Sequence, residues 1–341
     1  MARLLVTGAL GHIGSQFIHS IRPGEFDEVV LVDDLSAQRY CSLFHLPDGV
    51  PFRFVEADIM RDEWTAELRG IDVVVHLAAI TNAAGSFERQ EEVERVNLLG
   101  TQRVAERCAE EGARLVFLST TSVYGTQAEV VDENCSPDEL RPQSPYAVSK
   151  LRAEEALREL AHTGGLRHVT GRFGTIFGTS IGMRFHTAIN KFCWQACVGQ
   201  PITVWRTALN QRRPYLALDD AVAALRFFID RDLFDGEIYN VLTVNTTVGE
   251  IVEAIRRHVP DLWVEYVDTP IMNQLSYTVA DAKFRSRGFQ VRGDLERGIT
   301  ETIRLLRNAR AMTRPDDLLD AAGVGAGGRP ARAIVAPTRT R

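Results

Sequence analysis

The stretch Thr7-Gly8-Ala9-Leu10-Gly11-His12-Ile13-Gly14 lies between an apolar run and an amphipathic segment. The run Arg3–Thr7 predicts a buried strand, and the residues from His12 to Ile21 predict a helix. Glycines at such a turn permit positive φ and close approach of a ligand, while the helix N-terminus offers unpaired N–H groups to phosphates. The GxxGxxG spacing therefore predicts a dinucleotide-binding loop, and its predicted cofactor contacts are Gly8, Gly11, His12, Ile13 and Gly14.

The second predicted strand ends in Leu31-Val32-Asp33-Asp34, at the distance expected for a ribose-binding acid. A carboxylate there accepts hydrogen bonds from the adenosine ribose hydroxyls and repels a 2′-phosphate. Asp33 is therefore predicted to favour NAD over NADP, whereas Asp34 fits an ordinary exposed turn acid better.

Short apolar runs alternate with helical stretches through the first half of the chain, which predicts an α/β fold with a doubly wound parallel sheet. The predicted strands are Arg3–Thr7, Glu28–Val32, Phe52–Val55, Val73–His76 and Leu115–Ser119, and a long helical stretch covers Glu91–Glu111. After Arg172 the pattern is less regular. Helices are predicted at Met183–Val198, Asp219–Asp230, Val248–His258 and Asp294–Arg307, with short strands at Pro201–Trp205 and Glu237–Val241.

The composition is that of a globular protein, and a net charge of -6 argues against a nucleic-acid-binding surface. No apolar run reaches the length of a membrane span, and the N-terminal apolar residues are interpreted as a strand and helix rather than as a signal peptide. Five scattered cysteines suggest a reducing, cytoplasmic compartment, and no metal site is expected. Residues 311–341 are rich in glycine, proline and arginine and are predicted to form a mobile tail.

Two further patterns predict a site that moves a hydride and a proton. Ser144-Pro145 is a favourable helix start, which places Tyr146 and Lys150 one turn apart on one face. A nearby ammonium and a cationic nicotinamide are expected to lower the phenol pKa from about 10, so that Tyr146 becomes a general base. Leu118-Ser119-Thr120-Thr121-Ser122-Val123-Tyr124-Gly125 begins at a predicted strand end and adds a hydroxyl. Each pattern alone also suits a surface helix or a Ser/Thr-rich turn.

Taken in order, these residues resemble the extended short-chain dehydrogenase/reductase family, specifically its NAD-dependent nucleotide-sugar epimerase and dehydratase branch. The resemblance covers the chain from Met1 to about Arg310. The landmarks are the glycine loop, Asp33, Ala57-Asp58-Ile59, His76-Leu77-Ala78-Ala79, Val96-Asn97-Leu98-Leu99-Gly100-Thr101, the Ser119–Gly125 segment, Tyr146 with Lys150, and Arg172-Phe173-Gly174-Thr175-Ile176-Phe177-Gly178.

The resemblance implies a Rossmann-type doubly wound parallel sheet with a smaller, mixed α/β substrate-binding lobe. The NAD-binding domain would comprise residues 1–172 with 214–241, and the nucleotide-sugar lobe residues 173–213 with 242–310. Many relatives pair through the two long helices, here Glu91–Glu111 and Pro145–Thr163, so a homodimer is expected.

The resemblance also assigns roles to single residues. Asp58 and Ile59 would contact the adenine, and Lys150 would hold the nicotinamide ribose. The catalytic set would be Thr120, Tyr146 and Lys150. The remaining predicted cofactor contacts are Leu77, Ala78 and Ala79 along the phosphate and ribose path, and Asn97, which is expected to hold backbone beside the cofactor.

Within this family the chemistry is expected to be epimerisation of a nucleotide-activated sugar. The 4,6-dehydratases carry an Asp-Glu pair where this chain has Thr121 and Ser122, and neither hydroxyl serves as a carboxylic acid or base at neutral pH. The hydroxyl-rich segment resembles 4-epimerases, which oxidise carbon 4 transiently and return the hydride.

The predicted substrate contacts are Thr121, Thr175, Arg184 and Arg213. Arg213 matches the family arginine that clamps the substrate pyrophosphate, a task that suits a bidentate guanidinium. Pro214 and Ala217 replace the aspartate and histidine that usually follow it, and Thr175 replaces an asparagine, which argues against plain UDP-galactose as the substrate.

Alternatives remain open from the sequence. A nucleotide-sugar ketoreductase or dehydrogenase would consume or release NADH in stoichiometric amounts, whereas an epimerase would keep its NAD. A sugar-acid decarboxylase of the same family often carries a glutamate where Ser122 stands. A non-catalytic NAD-binding sensor on the same fold would not need the set of Thr120, Tyr146 and Lys150.

Overall fold

The computed structural model describes residues 2–61, 63–83, 85–124, 130–268 and 276–309. The strands are β1 (Ala2–Thr7), β2 (Phe26–Asp33), β3 (Phe52–Glu56), β4 (Val73–His76), β5 (Arg114–Thr120), β6 (Val130–Val131), β7 (His168–Phe173), β8 (Thr175–Phe177), β9 (Ile202–Trp205), β10 (Arg212–Ala217), β11 (Ile238–Val241), β12 (Val244–Thr247), β13 (Val264–Val267) and β14 (Thr278–Val279). The α-helices are α1 (His12–His19), α2 (Gln90–Glu94), α3 (Gly100–Glu111), α4 (Pro145–Gly164), α5 (Ala188–Cys197), α6 (Leu218–Asp230), α7 (Val248–Arg256), α8 (Ala282–Ser286) and α9 (Leu295–Leu306).

A seven-stranded sheet forms the centre of the molecule, in the order β11-β7-β5-β4-β1-β2-β3. All of its neighbouring strands run parallel. The order reverses at β1, because β2 lies on one side of it and β4 on the other. This confirms the predicted doubly wound sheet and places the carboxyl ends of β1, β4 and β5 side by side, where ligands bind in such folds.

Alternation along the strands divides the core between the two faces of the sheet. Leu4 and Val6 of β1 pack on the face that also buries Phe17 of α1 and Leu225 of α6. Leu5 points to the opposite face, where α3 and α4 cover the sheet. Helices on both faces explain why these strands are apolar runs rather than alternating polar and apolar sequences.

A smaller mixed unit follows the large sheet. β10 pairs parallel with β8 and antiparallel with β12, and β9 pairs parallel with β13. A separate core joins residues of α5, α7 and α9 with these strands. The observed Rossmann fold with a smaller mixed lobe agrees with the predicted fold class, while the residue boundaries of the two domains stay a prediction.

One predicted helix is wrong in its first part. The helix predicted at Met183–Val198 begins only at Ala188, after Thr187 at its N-cap. The preceding residues instead follow Gly178, whose φ is +106°, and cross the glycine loop as an irregular segment. The predicted helix Glu91–Glu111 is present as α2 and α3, with a π-helical turn, Arg95–Leu99, between them.

Within the described ranges, no helix combines the length and apolar character that a bilayer crossing requires. The predicted tail, residues 311–341, lies outside the described residues.

Candidate active site

The glycine loop joins β1 to α1 in the geometry that a dinucleotide needs. Gly8 has a φ of +64°, and a Cβ there would lie 2.5 Å from the backbone N of Ala78. Only glycine therefore fits at this crossing of two backbones. Gly11 occupies the N-cap of α1, where no side chain caps the helix. The N-terminus of α1 thus keeps its donors and its positive dipole end for an anion, and His12, Ile13 and Gly14 form its first turn.

Asp33 ends β2 beside this loop, as predicted. Its carboxylate accepts hydrogen bonds from the backbone N–H groups of Leu10 and Leu35, both at 3.1 Å. Burial raises the pKa of Asp33, and these two donors oppose that shift. Asp34 accepts from the N–H of Ser36 at 3.0 Å, which agrees with a turn-forming role.

A buried hydrogen-bond chain holds the loop after β4 against the glycine loop. His76 Nδ1 lies 2.7 Å from Thr7 Oγ1, and His76 Nε2 lies 3.0 Å from Thr101 Oγ1. Because Thr101 donates to the carbonyl of Asn97, it accepts from Nε2–H, and Thr7 therefore donates to Nδ1. Burial lowers the pKa of His76 to about 3, so the ring is neutral.

Asn97 fixes the backbone that leads away from Leu77, Ala78 and Ala79. Its side-chain oxygen accepts from Ile80 N–H at 2.8 Å, and its side-chain nitrogen donates to Ile80 O at 3.0 Å. The same nitrogen lies 3.3 Å from Ser149 Oγ of α4. Asn97 thus holds the backbone of the loop after β4 in place, while its place beside the cofactor stays a prediction.

Asp58 and Ile59 follow β3, at the expected edge of the sheet. Asp58 accepts from Met60 N–H at 2.9 Å. The Ile59 side chain is buried in the core, and its carbonyl accepts from Trp64 Nε1 at 3.1 Å. The Ile59 side chain therefore packs inward, which leaves its backbone for any contact with the adenine.

The predicted catalytic residues converge at the carboxyl end of β5. Ser144 caps α4 by accepting from Ala147 N–H at 3.2 Å, and this start places Tyr146 and Lys150 on the face toward β5. Lys150 Nζ donates to Leu118 O at 2.8 Å and lies 4.6 Å from the centre of the Phe117 ring. Thr120 lies next to the Tyr146 phenol and hydrogen-bonds to it.

The direction of the Tyr146 pKa shift differs from the one expected from the sequence. Part of Tyr146 is solvent-accessible, yet the surrounding protein desolvates the phenol and raises its pKa to about 12, with the Thr120 hydrogen bond opposing the shift. Burial lowers the pKa of Lys150 to about 7, with Glu154 opposing. The prediction that the neighbouring ammonium lowers the tyrosine pKa is wrong for these protein groups alone, because desolvation dominates.

Beneath the catalytic set lies a buried ion pair that the sequence reasoning missed. Glu154 follows Lys150 by one turn of α4. Its carboxylate accepts hydrogen bonds from Arg172 Nη2 at 2.6 Å and from Arg172 Nε at 3.0 Å. Ser119 also donates to Glu154. The spacing of four residues from Tyr146 to Lys150 and on to Glu154 indicates that the three side chains share one face of the helix. The neighbouring sequence does not indicate that Arg172 of β7 pairs with Glu154.

On the substrate side, the structure brings together three of the four predicted residues. Thr121 is buried and Thr175 half-buried, and the Thr175 strand position pairs with Tyr215. Arg213 is half-buried on β10 and acts electrostatically on Tyr277, whose hydroxyl donates to Thr121 O at 3.1 Å.

Arg184 lies elsewhere. Its Nη2 donates to Thr81 Oγ1 at 2.6 Å, in the loop after β4. The described residues hold no cluster of three or more His, Cys, Asp or Glu side chains that could bind a metal ion.

These residues fit a dinucleotide. Gly8 admits the close loop crossing, Gly11 leaves the N-terminus of α1 without a side-chain cap, and Asp33 lies beside the loop at the end of β2. The comparisons with known proteins agree. Residues 4–241 match the model of the NAD dependent epimerase/dehydratase family.

Known relatives catalyse several reactions of nucleotide sugars. The chain is 28% identical over 322 residues to a trifunctional UDP-glucose 4,6-dehydratase/UDP-4-keto-6-deoxy-D-glucose 3,5-epimerase/UDP-4-keto-L-rhamnose-reductase of Arabidopsis thaliana. That match covers 88% of this chain but only 46% of the plant protein, so the chain spans less than half of this relative's length.

Two solved structures are similar over nearly the whole described chain. MoeE5 in complex with UDP-glucuronic acid and NAD is 29% identical, with a TM-score of 0.78 and coverage of 90% of this chain and 100% of that one. The UDP-glucose 4-epimerase of Thermus thermophilus in complex with NAD is 26% identical, with a TM-score of 0.75 and coverage of 90% and 99%. The chain therefore belongs to the NAD-dependent epimerase/dehydratase family of nucleotide-sugar enzymes, and its cofactor is NAD.

Proposed function

We propose that the protein epimerises a nucleotide-activated sugar at carbon 4 without net redox change. The observation that carries the proposal is the meeting of Thr120, Tyr146 and Lys150 at the end of β5, next to hydroxyls rather than carboxylates at Thr121 and Ser122.

In this proposal Tyr146 removes the proton from the carbon-4 hydroxyl, and Thr120 hydrogen-bonds to the same oxygen. The bond from Lys150 Nζ to Leu118 O fixes this amine below the site. The charge that lowers the phenol pKa in this proposal would come mainly from the cationic nicotinamide of bound NAD. Bound NAD would supply the reversible hydride acceptor for carbon 4, so that the hydride removed from one face can return to the other. Tyr146 then returns the proton to the inverted hydroxyl.

The surrounding carboxylates support epimerisation over dehydration. Elimination of water needs a free acid and base, whereas Glu154 is committed to Arg172 and Ser119. Glu133 accepts from Asn240 N–H at 2.5 Å on the other side of the Arg172 network. Neither carboxylate is available to the sugar, although the plant relative's name includes a 4,6-dehydratase activity.

Arg213 is the proposed anchor of the nucleotide. It lies on β10, half-buried, on the substrate side of Tyr277 and Thr121. A guanidinium there clamps a pyrophosphate in a bidentate manner, so the sugar can turn while the nucleotide stays in place. Thr175, half-buried on neighbouring β8, is the proposed sugar contact from that strand.

The test is a panel of UDP-, dTDP-, GDP- and CDP-sugars incubated with the protein and followed by NMR of the sugar ring protons. We expect one sugar to give its carbon-4 epimer without added NAD and without accumulation of NADH. Tyr146→Phe should lower kcat by about 10²- to 10⁴-fold, whereas the matched control Tyr40→Phe, at an exposed position, should leave it unchanged.

Other products would refute the proposal. A 4-keto-6-deoxy sugar would identify a dehydratase, and stoichiometric NADH would identify a dehydrogenase or ketoreductase. Full turnover in both Tyr146→Phe and Lys150→Ala would refute the assigned mechanism.

A further inference from the structure

An irregular segment, residues 178–187, crosses the glycine loop; it is called the strap below. Ser180 Oγ donates to His12 O at 2.9 Å, and Gly182 N–H donates to Ser15 Oγ at 3.0 Å. His12 and Ser15 belong to the first turns of α1, which carry the predicted phosphate donors. The strap is thus attached to the element that binds the cofactor.

Gly182 shows how closely the strap approaches. A Cβ at this position would collide with Leu10 O and would lie 2.7 Å from Gly11 O and 2.8 Å from Ser15 Oγ. The strap backbone therefore packs directly on the backbone of the glycine loop. Any side chain at position 182 would force the two segments apart.

The start of the strap is fixed by polar contacts at Gly178. Asn190 accepts from Gly178 N–H at 3.1 Å and donates to Gly178 O at 3.0 Å. His12 Nε2 also lies 3.0 Å from Gly178 O, so it carries the proton in that bond. Burial lowers the pKa of His12 to about 4, which agrees with a neutral ring serving as a tie to the strap.

Beyond these ties, the strap brings cationic groups to the glycine loop. Arg184 is exposed and reaches Thr81 of the loop after β4. The Arg39 side chain is half-buried. Its Nη1 lies 3.5 Å from the point that a Cβ atom would occupy if residue 11 were not glycine. The two guanidinium groups repel each other, and their charges also act on His12 and His186.

Positive charge exceeds negative charge beside the glycine loop, where the guanidinium groups of Arg39 and Arg184 lie near one carboxylate, that of Asp33. Asp33 is the acid that acts on Arg39, and it is already bonded to Leu10 and Leu35. The hydrogen bond of Arg184 goes to the Thr81 hydroxyl, and burial lowers the pKa of both guanidinium groups. Two accessible guanidinium groups above a helix N-terminus suit a doubly charged ligand such as a pyrophosphate.

We propose that Arg184, together with Arg39, closes over the pyrophosphate of NAD, and that the strap makes the dinucleotide a retained group. Arg184 is thereby reassigned from the substrate to the cofactor. The proposal goes beyond the epimerase reaction, because it concerns cofactor retention and holds for any reaction of this family at the same site.

The test measures exchange of bound NAD for ¹⁴C-labelled NAD in the full-length holoprotein without any sugar. We expect Arg184→Ala and Arg39→Ala each to exchange at least about tenfold faster than the unchanged protein, since each loses a charge-assisted contact. Arg184→Lys should lie between. The matched control is Lys191→Ala, at an exposed lysine of α5, which should exchange at the original rate.

A second measurement locates the contact within the dinucleotide. ADP-ribose, which has the pyrophosphate but no nicotinamide, should lose affinity for Arg184→Ala by the same factor as NAD. Unchanged exchange in both Arg184→Ala and Arg39→Ala would overturn the proposal. So would equal acceleration in Lys191→Ala, or a rise in the sugar KM of Arg184→Ala with NAD exchange unaltered.

These outcomes are separate from those of the proposed reaction. A protein that retains NAD through Arg184 but forms a 4-keto sugar keeps this inference and loses the epimerase assignment. An epimerase whose NAD exchange is insensitive to Arg39 and Arg184 gives the reverse result.

Discussion

Lys150 is buried at a cost to stability. Its ammonium is buried, with Leu118 O as acceptor and the Phe117 ring beneath it, and burial lowers its pKa from 10.5 to about 7. Between these two pH values the unfolded chain binds a proton that the folded chain lacks. The stability of the protein should therefore rise with pH through this window, unlike that of a protein whose lysines are all exposed.

Lys150→Met should consequently be inactive but more stable. At pH 7 we expect its free energy of unfolding to exceed that of the unchanged protein by on the order of 1–3 kcal/mol, because the charge is gone while Leu118 O loses its donor. The difference should shrink toward pH 9.5, where the native lysine is neutral. Urea unfolding of the NAD-free protein at both pH values measures it.

The control for this substitution is Lys191→Met at an exposed site, which should change stability little at either pH. A Lys150→Met protein that is less stable than the original at pH 7 would contradict the account. A stability difference independent of pH would do the same.

At the scale of elements, the π-helical turn Arg95–Leu99 sets the position of the loop after β4. It carries Asn97, whose side chain satisfies both backbone polar groups of Ile80. π turns are uncommon and are often found at functional sites. Apolar periodicity predicts one helix over Glu91–Glu111 and does not distinguish a single π turn from the α-helix on either side of it.

Asn97→Ala should destabilise the protein by about 1–3 kcal/mol, since two partly buried backbone groups of Ile80 lose their partners. NAD affinity should fall as well, because the loop after β4 loses its anchor. Denaturant titration and calorimetry with NAD measure the two effects. Arg95→Ala, an exposed change in the same turn, should alter neither, and equal effects at both positions would refute the role of Asn97.

Helix α4 combines the proposed catalytic side chains and a buried ion pair on one face. Tyr146 and Lys150 face the site, and Glu154 continues the face into a buried ion pair with Arg172. Breaking such a pair leaves an uncompensated charge, whereas replacing both members with apolar groups is often tolerated.

Glu154→Gln should therefore cost about 3–5 kcal/mol of stability, and the double change Glu154→Met with Arg172→Met should recover most of it. Thermal or chemical unfolding measures both, with exposed Glu155→Gln as a control expected to have no effect. A double variant no more stable than Glu154→Gln alone would show that shape rather than charge decides this site.

Local chemistry could be predicted from the sequence, and distant pairing could not. The glycine loop, Asp33 and the Tyr146–Lys150 pair each depend on neighbours in the chain, so their spacing revealed them. The strap depends on Gly182 meeting Leu10 and Gly11, far away in sequence. For that reason the sequence pattern predicts one helix over Met183–Val198, whereas the helix begins at Ala188.

At the scale of the molecule, polar contacts join the two sequence halves around the site. Asp220 of α6 accepts from the N–H groups of Arg292 and Gly293, both at 2.9 Å, and from Thr243 Oγ1 at 2.6 Å. The strap makes a second junction at the glycine loop. The chain therefore crosses between the large sheet and the smaller lobe several times, so a fragment ending at Arg172 would lack β11 and α6, which complete the sheet and its core.

The outer face of α3 and α4 exposes apolar side chains that we expect to lie in a contact between two copies of the chain. Leu99 is 45% exposed and Val148 39% exposed, and helical spacing places them in line with Gln102 and with Ala156. Exposed apolar residues along two adjacent helices are typical of a contact surface. We expect a homodimer that pairs this face with its copy around a twofold axis.

Leu99→Arg combined with Ala156→Arg should convert that dimer to a monomer. Across a twofold axis, the arginines introduced in one protomer would face those of its partner, and their positive charges would repel each other. Light scattering after size-exclusion chromatography measures the mass. Leu305→Arg is the matched control, since Leu305 is 69% exposed on α9, away from this face, and its substitution should leave the dimer intact. A monomeric unchanged protein, or a double variant that stays dimeric, would rule out pairing through α3 and α4.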